Sequence, residues 1–398
     1  MTIETNHPQR NLLAELVKLD VQEKSSRGLM YTPQEILQQP ATWKSTFLRV
    51  SEHAEQLQSF LAKSLSESAT VYLIGAGTSD YVGRALTSIL RERWHCNVTA
   101  VPSTDLITEM ESYVLPGKSH LFISFSRSGD SSEGVGVLEQ ALREYPQVRH
   151  LVVACNENGR MPEMCTGLDN AFVLVLDDAV NDRGLAMTSS FTNMVVAGQC
   201  IANLSRLAEY ESTLDALVRM GKRMLNEAAP IAESISEMHC QKAIFVGTGS
   251  LAAVATECAL KSLELTAGSL YTMSESAMGL RHGPMSAMDG ETLFVSFLSS
   301  DERRLRYEID LLKEIHAKGL GRVRVAIAPV ANEGMRNLCD HTIVLDAPAG
   351  FPDDYLAPVD VIFGQILGLF ASINAGLRPD QPSPDGTISR VVSHVKLY

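Results

Sequence analysis

Short apolar runs, each closed by a glycine or a polar turn, recur along the chain and alternate with stretches of helical periodicity. Val71-Tyr-Leu-Ile-Gly-Ala-Gly77 is one such run, and Ala243-Ile-Phe-Val-Gly-Thr-Gly249 is another, displaced by 172 residues. The same displacement carries Leu121-Phe-Ile-Ser-Phe125 onto Leu293-Phe-Val-Ser-Phe297, and Leu151-Val-Val-Ala154 onto Val323-Arg-Val-Ala326. Phe172-Val-Leu-Val-Leu-Asp177 and Thr342-Ile-Val-Leu-Asp346 form a fourth pair at nearly that offset. Continuous rather than alternating hydrophobicity marks parallel strands covered on both faces. The helical stretches 132–144 and 251–265 supply crossovers between them. The pattern predicts a tandem duplication of α/β units, each a doubly wound parallel sheet flanked by helices. A helical N-terminal arm (1–44) precedes a first unit (45–210), a second unit (211–380) and a C-terminal tail (381–398). A helical bridge over 204–238 joins the units, and Pro230 is expected to interrupt it.

With 398 residues, 45% of them hydrophobic and 20% charged, the chain has room for two globular domains and is not a disordered one. A formal net charge of −13 argues against partners such as nucleic acid or an anionic membrane. Any anionic substrate must then be met by a local device. The seven cysteines are scattered, with no C-x-x-C, so neither a disulfide framework nor a cysteine metal site is expected. The first thirty residues carry no apolar signal core, and the longest apolar stretch, 361–371, is too short for a bilayer. A cytoplasmic protein is expected.

Glycine-rich turns at the carboxyl ends of parallel strands are where such sheets bind ligands. The first unit has two, Gly75-Ala-Gly-Thr-Ser79 and Ser124-Phe-Ser-Arg-Ser-Gly-Asp-Ser-Ser132. Hydroxyls, backbone N–H groups and one guanidinium at a helix start suit a phosphate monoester. The same serines would also serve as plain helix caps, and the paired G-T-S loop favours the anion. In the second unit the corresponding stretch is Phe297-Leu-Ser-Ser-Asp301, with aspartate in place of glycine, so this unit is expected to have lost its anion loop. It carries instead Glu257, Lys261 and Glu264 on one face of an apolar helix, followed by His282 in the turn Gly279-Leu-Arg-His-Gly-Pro284. Glu–Lys spacing of this kind is also common on solvated helices. The histidine in a tight loop is a candidate for acid–base work. No G-x-G-x-x-G with its distant acid, no phosphate-binding G-x-x-x-x-G-K-[ST] and no metal-ligand spacing is present, so neither a nucleotide cofactor nor a metal is expected.

Together Gly75-x-Gly-Thr-Ser79, Ser126-Arg-Ser-Gly-Asp-Ser131, Glu257-x-x-x-Lys-x-x-Glu264 and Arg281-His-Gly-Pro284 resemble the two-copy sugar isomerase (SIS) family. Within it the chain is most similar to the galactosamine-6-phosphate deaminases, also named tagatose-6-phosphate ketose/aldose isomerases. That resemblance implies phosphate binding by Thr78, Ser79, Ser126, Arg127, Ser128 and Ser131. It implies proton transfer by Glu264, ring opening by His282, and accompanying roles for Lys261 and Glu257. The expected reaction converts galactosamine 6-phosphate to tagatose 6-phosphate and ammonia. The alternatives are plain ketose/aldose isomerisation without deamination, and a non-catalytic sugar-phosphate sensor. In relatives the histidine loop reaches the neighbouring subunit's site, which implies a homodimer. The family's C-terminal lysine loop has no secure match here; Arg390 or Lys396 is the candidate for that role.

Overall fold

The computed structural model describes residues 11–66, 68–383, 385–392 and 395–397, without the Glu333 side chain. Residues 1–10 of the expected arm lie outside it.

Strands β1 (Thr70–Gly75), β2 (Asn97–Pro102), β3 (His120–Ser126), β4 (Arg149–Ala154) and β5 (Ala171–Val175) form one parallel sheet in the order β2-β1-β3-β4-β5. Strands β6 (Lys242–Gly247), β7 (Tyr271–Ser276), β8 (Thr292–Phe297), β9 (Val323–Ala328) and β10 (His341–Val344) form the second, in the order β10-β9-β8-β6-β7. Read from the opposite edge, the second order repeats the first. The three strand pairs related by the 172-residue displacement, and the fourth pair near it, occupy equivalent places. The chain is two tandem doubly wound units.

Two strands escaped the hydrophobic pattern, β2 and β7. Both are edge strands with several half-exposed residues, and Tyr271 in β7 is 63% exposed. An edge strand facing water on one side need not be continuously apolar.

Between the sheets lies a double layer of helices. Thr78–Trp94 packs on β1 and β2, Ser250–Leu265 packs on β6 and β7, and the two helices pack on each other. Ser189–Ala202 and Ala357–Asn374 fill the same layer; every residue of the former is buried. Ala357–Asn374 is long and apolar enough to cross a bilayer by composition alone, yet 83% of it is buried against the surrounding helices. It is the spine of the core. The N-terminal helix Gln39–Glu52 is bound to this layer by polar contacts: Trp43 Nε1 donates to Thr192 Oγ1 at 3.0 Å, and Thr46 Oγ1 to Asn193 Oδ1 at 2.7 Å.

The expected break at Pro230 is absent: one helix runs Leu207–Glu237 through the proline. Proline in a helix interior forfeits one hydrogen bond at a cost of about 3 kcal/mol. The flanking Ala228, Ala229 and Ala232 are buried, and the helix packs along Ala357–Asn374, which offsets that cost. The divisions at 44/45 and 210/211 fall inside Gln39–Glu52 and this long helix.

Candidate active site

The G-x-G turn after β1 is shaped by close approach. A Cβ on Gly75 would collide with the Ser79 carbonyl, and Gly77 has φ of 54°, where side chains are rarely tolerated. The turn therefore delivers Thr78 and Ser79 to the first turn of their helix. The turn after β3 organises itself: Gly129 N–H donates to Ser126 Oγ at 2.9 Å, and Asp130 N–H to Ser128 Oγ at 3.1 Å. A hydroxyl that accepts one such bond still has its own proton to donate.

Ser79, Ser126, Arg127, Ser128 and Ser131 line one cavity of about 300 Å³ with Gly75 and Gly77. Of the six residues expected to hold phosphate, only Thr78 is not part of this wall. Its hydroxyl faces the second unit: it accepts from Lys261 Nζ at 2.9 Å and donates to Glu257 Oε1 at 3.3 Å. Lys261 Nζ also donates to Glu264 Oε2 at 2.6 Å and stands 3.4 Å from Glu257 Oε1. Thr78 thus joins the anion-type turn of one unit to the acid-bearing helix of the other.

Burial differs sharply along that helix face. The Glu257 and Lys261 side chains are 0% and 1% exposed, whereas Glu264 retains 25%. Burial pushes the Glu257 carboxyl up to about 8, although Lys261 opposes the shift. On Lys261 burial is the largest effect and acts against the charge, but Glu257 and Glu264 together outweigh it and hold the ammonium above its ordinary value. The arrangement is a Lys261–Glu264 ion pair, buried at the lysine and partly open at the glutamate, with Glu257 behind it. Glu257 Oε2 is buried without a partner.

Arg127 departs from the expected phosphate fork. Its Nη1 donates to the carbonyls of Gly184 (3.3 Å) and Leu185 (3.1 Å), and its Nη2 to the Arg390 carbonyl. Its charge lies at the cavity, but these donors fasten loops. Burial and the nearby Arg390 guanidinium lower its proton affinity, opposed by Asp182. Arg390 is itself anchored: Nε donates to the Asp182 carbonyl at 2.8 Å and Nη2 to Asn181 Oδ1 at 2.9 Å. The C-terminal stretch continues over the cavity, where the Val392 carbonyl accepts from Ser132 N–H at 3.2 Å. Residues 390–392 form one wall. The family resemblance pointed to Arg390, but not to its place in this wall, which depends on contacts more than 200 residues apart.

His282 stands apart from the cavity within one chain. It is exposed, in the turn after the short helix Gly279–Arg281, and its neighbour Arg281 pairs with Glu314 at 2.7 Å. In the second unit's loop after β8, where loss of the anion loop was expected from Asp301, Ser299 and Ser300 remain but the carboxylate of Asp353 occupies their donors. Among the described residues, no group of three or more His, Cys, Asp or Glu is placed to hold a metal ion.

No protein-family model matches the chain. It is 34% identical over 370 residues to D-galactosamine-6-phosphate deaminase AgaS of Escherichia coli O157:H7, covering 92% of this chain and 95% of that protein. A Clostridium novyi NT structure, provisionally named a tagatose-6-phosphate ketose/aldose isomerase, superposes with a TM-score of 0.90 at 30% identity, over 94% and 96% of the two chains. The tagatose-6-phosphate ketose/aldose isomerase of Escherichia coli superposes with a TM-score of 0.82 at 32% identity, over 88% and 95%.

Proposed function

The chain belongs to the AgaS family of two-unit sugar isomerase (SIS) proteins, and from that premise we propose that it deaminates and isomerises galactosamine 6-phosphate to tagatose 6-phosphate and ammonia. The observation that carries the reading is the Thr78 bridge, which sets the serine-lined cavity beside Glu264 and Lys261. Glu264 and Lys261 are not in the cavity wall itself; Thr78, next to Ser79 of that wall, is their link to it.

In this mechanism Ser79, Ser126, Ser128 and Ser131 donate to the phosphate, and Arg127 supplies positive charge beside it. Binding energy from that remote group holds C1 and C2 in register. His282, brought from a second copy in a homodimer, moves a proton between the ring oxygen and O1 to open the ring. Exposed Met278 immediately precedes that turn, as an interface would require. Glu264, partly open to solvent and held by Lys261, removes the C2 proton and returns it to C1. The electron pair moves through the enolamine to leave a C2 imine, which water hydrolyses to the ketose and ammonia. Glu257 keeps Lys261 in place from behind. The two units, 45–210 and 211–380, divide the work, one gripping the ester and the other moving the proton. A cytoplasmic setting fits the seven free thiols.

The test is ammonia release from galactosamine 6-phosphate and, in parallel, from glucosamine 6-phosphate. Ammonia with tagatose 6-phosphate from the first is the expected result. Aldose–ketose interconversion without ammonia would favour plain isomerisation, the activity named in both solved relatives.

A further inference from the structure

The two units share their turns as well as their strands. Gly249, 172 residues after Gly77, also has positive φ (64° against 54°), and Ser300 stands at the same displacement from Ser128. As in the first unit, G-x-G turn and serine turn converge: a Cβ on Gly249 would lie 4.0 Å from Arg304 Nη1, a group of the helix that follows the serine turn. What fills the convergence is a carboxylate. Asp353, whose side chain is 1% exposed, accepts from Ser300 N–H and Ser300 Oγ, each at 2.7 Å, from Arg304 Nη1 at 3.0 Å, and from Ser299 Oγ. Two hydroxyls, one backbone N–H and one guanidinium around an oxyanion form the donor set that suits a phosphate. In the first unit the residue at the same displacement is Asn181, an uncharged amide bonded to Arg390.

We propose that the second unit retains an oxyanion cradle, that Asp353 is its built-in ligand, and that removing this carboxylate opens a second site for phosphate or a small carboxylate. Glu308 lies behind the cradle. It is 0% exposed, accepts from Ser299 N–H at 2.8 Å through Oε2, and leaves Oε1 without a partner. Burial, helped by the adjacent Asp353, raises its proton affinity. The Asp353 carboxylate is met by Arg304, whose side chain is 46% exposed at the mouth of the cradle. On this reading the chain takes one sugar phosphate and not two, because its second seat is occupied from within.

The experiment uses thermal unfolding of the whole chain, wild type and Asp353→Ala, in chloride, acetate and inorganic phosphate at matched ionic strength. Asp353→Ala is expected to melt lower than wild type in chloride. It should regain about 2 °C or more in acetate or phosphate beyond any gain shown by wild type. Adding Arg304→Met should abolish that extra gain. Equal gains in the two proteins, or unaltered stability of Asp353→Ala in chloride, would overturn the proposal. Should Asp353→Ala be insoluble, refolding yield is read instead: recovery in phosphate above chloride supports it, and equal recovery, nil included, overturns it. None of these readouts uses turnover, so they succeed or fail apart from the proposed reaction.

Discussion

Lys261 donates to Thr78 across 2.9 Å and a sequence separation of 183 residues, and this contact links the acid-bearing helix of the second unit to the G-x-G turn of the first. Neither residue is accessible: Thr78 is 4% exposed and Lys261 0%. Thr78→Val keeps the volume and removes the acceptor of a buried ammonium. Hydrogen bonds to charged groups contribute about 1.5–3 kcal/mol, so denaturant unfolding should show a loss of that order. Turnover should fall with it because Glu264 loses its register. Unchanged stability would mean that the units are held together elsewhere.

Glu264→Gln preserves shape and the partner for Lys261 while removing the base. Product binding should persist and turnover should drop about 10²–10⁴-fold, the usual contribution of a positioned general base. Titration with tagatose 6-phosphate alongside steady-state rates checks both halves, and a near-normal rate would remove Glu264 from its assigned role.

Ser128 and Arg127 line the same cavity yet should respond differently. Ser128→Ala deletes a donor to the phosphate and should raise KM roughly 10–100-fold with little change in kcat. Arg127→Gln releases the carbonyls of Gly184, Leu185 and Arg390. It should therefore also expose the C-terminal stretch to limited proteolysis. If Arg127→Gln raised KM while protease resistance stayed intact, Arg127 would be a plain phosphate ligand.

A second acid outside the site sets a pH dependence of stability. Burial, reinforced by the Asp182 carboxylate, pushes the Glu35 carboxyl from 4.5 up to about 8, although the N–H groups of Arg183 and Gly184 favour its charged form. The folded state therefore keeps a proton that the unfolded chain releases between about pH 4.5 and 8, and stability falls as pH rises through that window. Glu257 acts in the same direction. Melting temperatures from pH 5 to 9 should decline, and Glu35→Gln should make that slope shallower.

Strands buried on both faces were legible because their composition is nearly uniform; β1, β3, β6 and β8 stood out, as did both G-x-G turns. Strands β2 and β7 were not, because an edge position relaxes the demand for apolar residues. Proline 230 misled because local propensity takes no account of the neighbouring helix that compensates for it. At the site, the sequence indicated which loops bear serines and which helix bears acids. It could not show that Thr78 turns away from the cavity, nor that Asp353 fills the second loop. Those facts depend on partners from distant parts of the chain. Aspartate at 301 looked like the reason for a lost anion loop, yet it caps a helix by accepting from Arg304 N–H, and the residue that excludes an anion lies 52 positions later.

Segments near residues 30, 380 and 390 meet on the first unit. The Asp380 carboxylate accepts N–H groups of Met30, Tyr31 and Thr32, and residues 390–392 complete the cavity wall. During synthesis the β1 and β3 turns leave the ribosome more than 250 residues before that wall exists. A nascent chain can therefore build both sheets and still have an unfinished pocket.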